Sequence, residues 1–339
     1  MTIAAGEYRG SGERWDEFVR ARQGSFCHLW GWRAVMVEAM GHRPLFRAAS
    51  DTGELVGVNP LVEVKTGLFG HFLLSMPFLN YGGPLGSEPA RAALADDARR
   101  LAQELEVDLL ELRAREPLDG GLTTSHRKVT VVLDLPPATA DLWKALPSKV
   151  RSQVRRPQKE GMEFRIGPEQ MDAFYEVFAR NMRDLGTPVL PLRFFRAIRD
   201  HLGGEVVFST VFHRGEPVAG GCGFVVGNEY EMTWASSLRE HNRLAPNMLL
   251  YWGCMEAMSA LGVGTFNFGR CTPESGTHRF KLQWGGRDVP LPWAQWSPGG
   301  VAATPSPDRP VFRLATAVWS RLPLAVANRL GPLLAIRLP

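Results

Sequence analysis

The stretch Gly264–Gly286, GTFNFGRCTPESGTHRFKLQWGG, gathers the residues best suited to chemistry. Arg270, His278, Arg279 and Lys281 supply cationic or N–H donors within a segment whose glycines let the backbone bend sharply. Thr265 to Phe268 alternate polar and apolar as a half-buried strand does, and Gly269 and Arg270 break the alternation at its carboxyl end. Open α/β sheets place their chemistry at such ends. The chemistry these residues permit is acyl transfer: an amine nucleophile sheds a proton while a carbonyl oxygen gathers negative charge, which calls for one proton acceptor and positioned donors. Lys281 and Arg270 fit the donor role, and Glu274 and Glu229 are both candidates for the acceptor, between which spacing does not choose. Cys271 beside His278 is a weaker, covalent alternative, because no catalytic sequence context surrounds the pair. The competing reading is a surface loop with solvated charges.

Elements are needed to hold those residues, and at 339 residues, 45% of them hydrophobic, the chain is long enough for two cores. Helices are expected at Glu13–Gln23 and Phe26–Met40, with Trp30 and Trp32 as core, then strands at Leu45–Ala49, Leu55–Val64 and His71–Met76. Pro77–Gly86 is too stiff and glycine-rich for regular structure. Either it lines a cleft, with the Tyr81 hydroxyl and the bare backbone of Gly82 and Gly83 open to a ligand, or it is a simple tight turn. A helix at Glu88–Leu105 and strands at Val107–Arg113 and Lys128–Leu135 complete one α/β unit of mixed sheet and flanking helices. The same order repeats as helices Pro168–Leu185 and Leu192–Leu202, strands Glu205–Phe212, Glu216–Val226 and Glu229–Ser236, helix Pro246–Leu261 and strand Thr265–Phe268, which suggests an internal duplication.

Between the halves Lys144, Lys149, Arg151, Arg155, Arg156 and Lys159 occur with no acid before Glu160. Arg151 and Arg155 share a helical face suited to a polyphosphate or RNA backbone, or else form a solvated interdomain helix; Pro157 is expected to end or kink it. The net charge of +4 is mild, so only this local distribution is informative. Cys27, Cys222, Cys254 and Cys271 are scattered without CxxC or metal-ligand spacing, pointing to a reducing cytoplasm and no structural zinc. No apolar core of signal-peptide length opens the sequence and no run of about 18 apolar residues occurs, so neither export nor a membrane span is expected.

The order of elements, the SKVRSQVRRPQKEG connector, Asp184-Leu185-Gly186-Thr187-Pro188, the strand ending Phe268-Gly269-Arg270, and Phe280-Lys281 followed by Trp284-Gly285 together resemble the FemAB family, over nearly the whole chain. More narrowly they resemble its branch encoded beside exosortase and exopolysaccharide (PEP-CTERM) systems. The resemblance implies tandem acetyltransferase-like (GNAT) domains and transfer of an aminoacyl group from aminoacyl-tRNA to an amine of a peptidoglycan-type precursor. It places Phe280 and Lys281 at the reaction centre, the lysine steadying charge on the acyl group; Gly269 and Trp284, in the same motifs, are candidates for binding substrate. Two features depart from the pattern. The glycine-rich turn with which acetyltransferases hold coenzyme A would fall at Arg243–Asn247, before the long helix, and its glycines are missing, which weakens the case for acyl-CoA and leaves Asn247 at the helix start. The helical hairpin that some peptidoglycan enzymes insert in the second domain is also absent.

The expected organisation is therefore a GNAT-like domain over 1–143, a second over 144–298 that opens with the basic connector 144–161, and a spacer with apolar helices over 299–339. The expected function is an acyltransferase, without bound cofactor, using aminoacyl-tRNA or acyl-CoA on a small-molecule or lipid-linked amine of the cell envelope or of exopolysaccharide; a non-catalytic assembly factor is the alternative class. Pro310–Pro339 follows the Ser297–Pro307 spacer and carries apolar residues and arginines only as its charged groups. Two short helices, broken near Pro323 and at Gly331-Pro332, are expected to clasp the first domain or to lie on an anionic membrane with Trp319 at the interface, at the inner face of a cytoplasmic protein's membrane.

Overall fold

Alternating strands joined by tight turns build two separate sheets, seen in a computed structural model that describes residues 3–67, 69–118, 120–300 and 310–337, with the side chains of 310–314 outside the described set. The contacts divide into one unit of Met1–Val129, Pro290–Pro305 and Ile336–Pro339 and another of Thr130–Val289 and Ser306–Ala335. Residues 301–307 of the expected spacer lie outside the described residues.

The first unit runs β1 (Ala4–Glu7), α1 (Gly12–Ala21), α2 (Trp32–Val35), β2 (Arg43–Asp51), β3 (Glu54–Thr66), β4 (Gly70–Ser75), β5 (Leu85–Gly86), α3 (Glu88–Glu104), β6 (Leu109–Leu112) and β7 (Thr123–Ser125). The single helix expected over Phe26–Met40 is broken. The indole N–H groups of Trp15 and Trp32, both fully buried, donate to the carbonyls of His28 and Phe26, holding 26–28 as a tight turn ahead of α2. Trp30 is only half-buried, with the Arg33 guanidinium 4.6 Å above its ring. β4 and β6 are parallel over Phe72–Leu74 and Leu109–Glu111.

The second unit adds β8 (Val129–Asp134), α4 (Thr139–Ala145), α5 (Ser148–Lys159), β9 (Glu163–Ile166), α6 (Met171–Asp184), α7 (Leu192–His201), β10 (Val206–His213), β11 (Glu216–Val226), β12 (Glu229–Ser237), α8 (Pro246–Ala260), β13 (Thr265–Cys271), α9 (Gly276–Leu282) and β14 (Arg287–Pro290). Its sheet has the order β14-β8-β13-β12-β11-β10-β9. The strand expected to close the first half, Lys128–Leu135, is thus β8 of this sheet. In exchange β15 (Trp293–Trp296) returns to the first sheet, whose order is β1-β2-β3-β4-β6-β15-β7, with β5 pairing β3. Both exchanges follow from strand pairing between residues far apart in sequence, which local alternation does not encode. An aromatic cluster of Phe174, Phe178, Phe194, Phe195, Phe208 and Trp234 packs α6 and α7 on one face of the second sheet.

Two further helices, α10 (Pro310–Trp319) and α11 (Leu324–Ala335), follow. The break near Pro323 is present, but α11 runs through Gly331-Pro332 without stopping. Within the second unit α11 contacts α6, and Arg183 Nη1 donates to the Leu322 carbonyl at 3.0 Å. Gly331 explains the continuity, since it lies against the backbone of Val189, where a Cβ would come within 2.9 Å of the Val189 nitrogen. Packing there offsets the hydrogen bond that Pro332 cannot make.

The loop Pro77–Gly86 is a plug rather than a cleft wall. Arg113, 5% exposed, reaches from the end of β6 to the carbonyls of Met76 (3.1 Å) and Leu79 (2.7 Å), while the Gly83 N–H donates to the Arg113 carbonyl. Glu111 holds that guanidinium at 2.8 Å and is itself held by Gln295 of β15 at 2.7 Å. What approaches the bare backbone of Gly83 is this strand end, because a Cβ there would meet the Ala114 nitrogen at 2.6 Å. Gly82 takes φ +109°, and Tyr81 is buried under the Arg115 guanidinium, 4.3 Å from its ring. Gly83→Ala is therefore expected to destabilise the protein by about 2 kcal/mol by forcing two backbones apart, read as a lowered denaturation midpoint; an unchanged midpoint would contradict the close approach.

Candidate active site

β12 and β13 are hydrogen-bonded in parallel over three residue pairs, Glu229 with Thr265, Tyr230 with Phe266 and Glu231 with Asn267. Past Glu231 and Asn267 the two strands part, although β12 stays paired with β11 up to Ser237. The ladder to β11 shifts register between Cys222 and Gly223, opposite Trp234 and Met232, leaving Thr233 as an extra residue that sharpens the twist. A gap thus opens at the carboxyl ends of two parallel strands, beside the segment singled out from sequence.

β13 does not end at Phe268 but runs to Cys271, bent by Gly269 at φ +70°. That bend is fastened by Asn267, whose Oδ1 accepts the Gly269 N–H at 2.9 Å and whose Nδ2 donates to Glu229 Oε1 at 3.1 Å. Thr130 of β8 donates to the same Oδ1. The bend turns two carbonyls toward α9, and Lys281 Nζ donates to both, to Gly269 at 2.6 Å and Arg270 at 2.9 Å. Ser275 starts α9 by accepting the His278 N–H, so the helix carrying Lys281 begins at a fixed place.

Lys281 is 4% exposed. Burial pushes its ammonium down to about 8; Arg270 pushes the same way, while Cys271 and Glu231 oppose. Glu231, 1% exposed, is the carboxylate within electrostatic reach of the lysine, and Thr233 Oγ1 donates to it at 3.4 Å. The two acceptors proposed from sequence stand otherwise: Glu229 receives the Asn267 amide, and Glu274 is exposed, at φ +64°. Glu231 was missed because only tertiary burial separates it from Glu229, two residues away on the same strand; the available signal was the register of EYEMT, which puts both glutamates on one side of β12.

Phe280 and Trp284 carry no polar contact in the site. They pack on Tyr251 of α8, at ring distances of 5.1 and 6.3 Å, and Tyr251 stacks on Phe268 at 5.6 Å. These aromatics pack α9 on α8 and β13. The Cys271–His278 alternative lacks its base. His278 Nδ1 accepts the Glu274 N–H at 2.9 Å and Nε2 donates to Asp288 at 2.8 Å, so both ring nitrogens serve as a clip between α9 and β14.

Asn247 lies in the first turn of α8, with its Oδ1 buried and without a hydrogen-bond partner. The left-handed conformation that a glycine would adopt freely before this helix is taken by Ala245, at φ +58°. Arg151 departs from expectation: its Nη1 donates to the carbonyls of Lys144 and Leu146, both at 2.9 Å, and so caps α4. Arg155 is exposed over the Trp143 ring at 5.2 Å, beside a hollow of about 460 Å³ that Trp252 and Glu256 also line. α5 continues to Lys159 past Pro157, which sits in its last turn. Tyr81, Gly82 and Gly83 belong to the plug of the first unit. The four cysteines are buried and free, and no group of three or more His, Cys, Asp or Glu among the described residues could hold a metal.

Residues 148–282 match the family model of an acetyltransferase (GNAT) domain. The second unit carries a GNAT domain. On that ground the chain is an acyltransferase. Its fold is similar to that of FemX, with a TM-score of 0.68 at 14% identity over 93% of this chain and 100% of that one. It is also similar to the C-terminal domain described for a lysylphosphatidylglycerol synthetase from Agrobacterium fabrum (0.58, 14%, 86% of this chain and 92% of that one). A tandem GNAT protein from the clavulanic acid biosynthesis pathway gives 0.53 at 15% identity, covering 90% of this chain and 100% of that one. No curated protein sequence matches the chain significantly. The two mixed α/β units are thus GNAT-like and tandem, followed by a helical tail.

Burial of Lys281 in the GNAT domain has a measurable consequence. Its ammonium titrates near 8 in the folded protein and near the ordinary 10.5 when unfolded. Between these values the unfolded chain holds a proton that the folded one has lost, so this group's contribution to stability rises with pH from about 8 to about 10.5, and below about 8 its full desolvation cost remains. Relative to Lys281→Met, the wild type should gain on the order of 3 kcal/mol across that window. Parallel denaturant titrations check this, and a flat difference would contradict it.

Proposed function

We propose that the chain transfers an aminoacyl or acyl group to an amine of a cell-envelope or exopolysaccharide-related acceptor, and that the bond is made beside Lys281 where β12 and β13 part. The observation that supports this most is a lysine ammonium held 4% exposed on the Gly269 and Arg270 carbonyls, with two of its three protons engaged. The third is available to the reacting carbonyl. The acceptor amine attacks the donor's ester or thioester carbon, and a C–N bond forms as the C=O electron pair moves onto oxygen. Lys281 stabilises that oxygen, with Arg270 adding positive charge. Glu231 takes the amine proton, and collapse expels the ribose oxygen or the thiolate. Phe280 and Trp284 exclude water, which strengthens each of these interactions.

Aminoacyl-tRNA is the donor favoured by α5, which exposes Lys149, Arg155, Arg156 and Lys159 in one helix, and by similarity to FemX and to a protein named for an aminoacylated lipid. Acyl-CoA is the second reading. It draws on the start of α8, where no side chain caps the helix, so its first backbone N–H groups and dipole suit a phosphate. The exopolysaccharide acceptor rests on the motif resemblance.

Retention of charged tRNA by the purified chain, weakening steeply with salt, would favour the first donor, and a thermal shift with acetyl-CoA the second. With whichever donor reacts, Lys281→Met should lower turnover on an amine about a hundredfold or more while the far-UV spectrum is retained. Activity of the wild type should fall as pH rises through about 8, where Lys281 loses its charge. Unchanged turnover in the variant, or a rate that climbs through that pH, would overturn the assigned role.

A further inference from the structure

The tail 310–337 contains no Asp or Glu, and its charged residues are Arg313, Arg321, Arg329 and Arg337. α11 turns its small residues inward. Ala327 and Ala335 are 2% and 3% exposed, and Gly331 lies against Val189. Three of its bulky residues face outward, Val326, Leu330 and Leu333 being 40%, 44% and 53% exposed and spaced i, i+4 and i+7 on one stripe with Arg329 beside them, while Leu324 and Leu334 are half-buried. Val318, at 55%, and exposed Arg321 precede this stripe, and exposed Arg337 follows it. A helix packed on a globular protein ordinarily shows the reverse distribution. Of the seven large hydrophobic residues exposed among the described residues, four fall in this segment, the others being Val37, Leu185 and Leu261. Trp319 is half-buried and close to Gly331, hence a spacer between the two helices rather than a separate anchor.

We propose that this face docks on an anionic lipid surface, with α11 lying in the plane of the interface, Val326, Leu330 and Leu333 in the acyl boundary, and Arg321, Arg329 and Arg337 on headgroup phosphates. Charge selects the occupant. Two copies meeting through this stripe would bring arginines of one sign together, whereas an anionic surface complements all of them while accepting the apolar row. The geometry agrees: α11 has 12 residues, and no described helix is long and apolar enough to cross a membrane, so the element can lie on a bilayer but not span it. Packing of the small face on the second unit leaves the stripe presented without unfolding the tail. The inference concerns where the protein works and stands independently of its acyl donor.

Co-sedimentation of the full chain with vesicles tests it. Phosphatidylcholine vesicles containing about one-third phosphatidylglycerol should bind at least about tenfold more protein than phosphatidylcholine alone, and less as salt is raised. Leu330→Glu with Leu333→Glu should lower binding to the anionic vesicles about tenfold or more with an unchanged melting temperature, since both side chains already face solvent. Arg321→Gln with Arg329→Gln should lower it on anionic vesicles only. Leu261→Glu, at an equally apolar but distant site that is 74% exposed, should bind as the wild type does. Failure of the wild type to sediment with anionic vesicles, or binding by Leu330→Glu/Leu333→Glu equal to wild type, would overturn the proposal. So would a concentration-dependent dimer by light scattering that the same double variant dissolves, because a second copy would then be what covers the stripe.

Discussion

A lysine ammonium taken out of water and set on two backbone carbonyls is the constraint around which the second unit is arranged. Such a group is costly to bury, and it persists because donors and acceptors around it leave few alternatives. The two carbonyls are available only because Gly269 bends β13, at φ +70°, and the bend holds because Asn267 caps the Gly269 N–H while Thr130 and Glu229 hold Asn267. Glu231 places a carboxylate of opposite sign within reach. Three strands therefore contribute to positioning one ammonium, which is how a rigid scaffold gives a reactive group a single geometry.

The first unit shows what becomes of the same architecture without that lysine. It too has a parallel pair, β4 with β6, whose ladder is three residues long. There the place past the ladder is taken by the chain itself. Arg113 ties the segment after β4 to the end of β6; Glu111, itself held by Gln295, and the ring of Trp293, 4.7 Å from the guanidinium, hold Arg113. His28 adds a further bond from Nε2 to the Gly83 carbonyl at 2.9 Å, and burial pushes its imidazole down to about 4, so it stays neutral there. In the first unit a buried arginine closes the place past the parallel ladder, and in the second a buried lysine stands beside it on two carbonyls.

The tail illustrates a third use of burial. Its arginines and leucines would be compatible with a packed clasp or with an interfacial helix, and the distinction lies in which stripe faces the protein. Gly331 lies on that stripe against the backbone at Val189, where a Cβ would come within 2.9 Å of the nitrogen, and Ala327 and Ala335 are buried on the same side. Val326, Leu330 and Leu333 are left on the outer side.

Much of this was legible in the residues. Period-2 alternation located β10 to β13, helical spacing located α6, α7 and α8, and the glycine at 269 marked a bend in the chemically rich segment; each is a local property, set by pleat, turn and backbone freedom within a few residues. Lys281 and Arg270 were visible as donors for the same reason. Tertiary structure alone decided that Glu231 and not Glu229 or Glu274 stands with Lys281, that Arg151 caps carbonyls, that Gly83 receives a strand and not a ligand, and that β8 and β15 join sheets distant in sequence. Spacing cannot separate three glutamates that differ only in their neighbours, because desolvation and charge coupling depend on what packs around a group in space. The sequence thus determined which donors lie in Gly264–Gly286, and packing across β8, β12 and β13 determined which groups are brought together with Lys281.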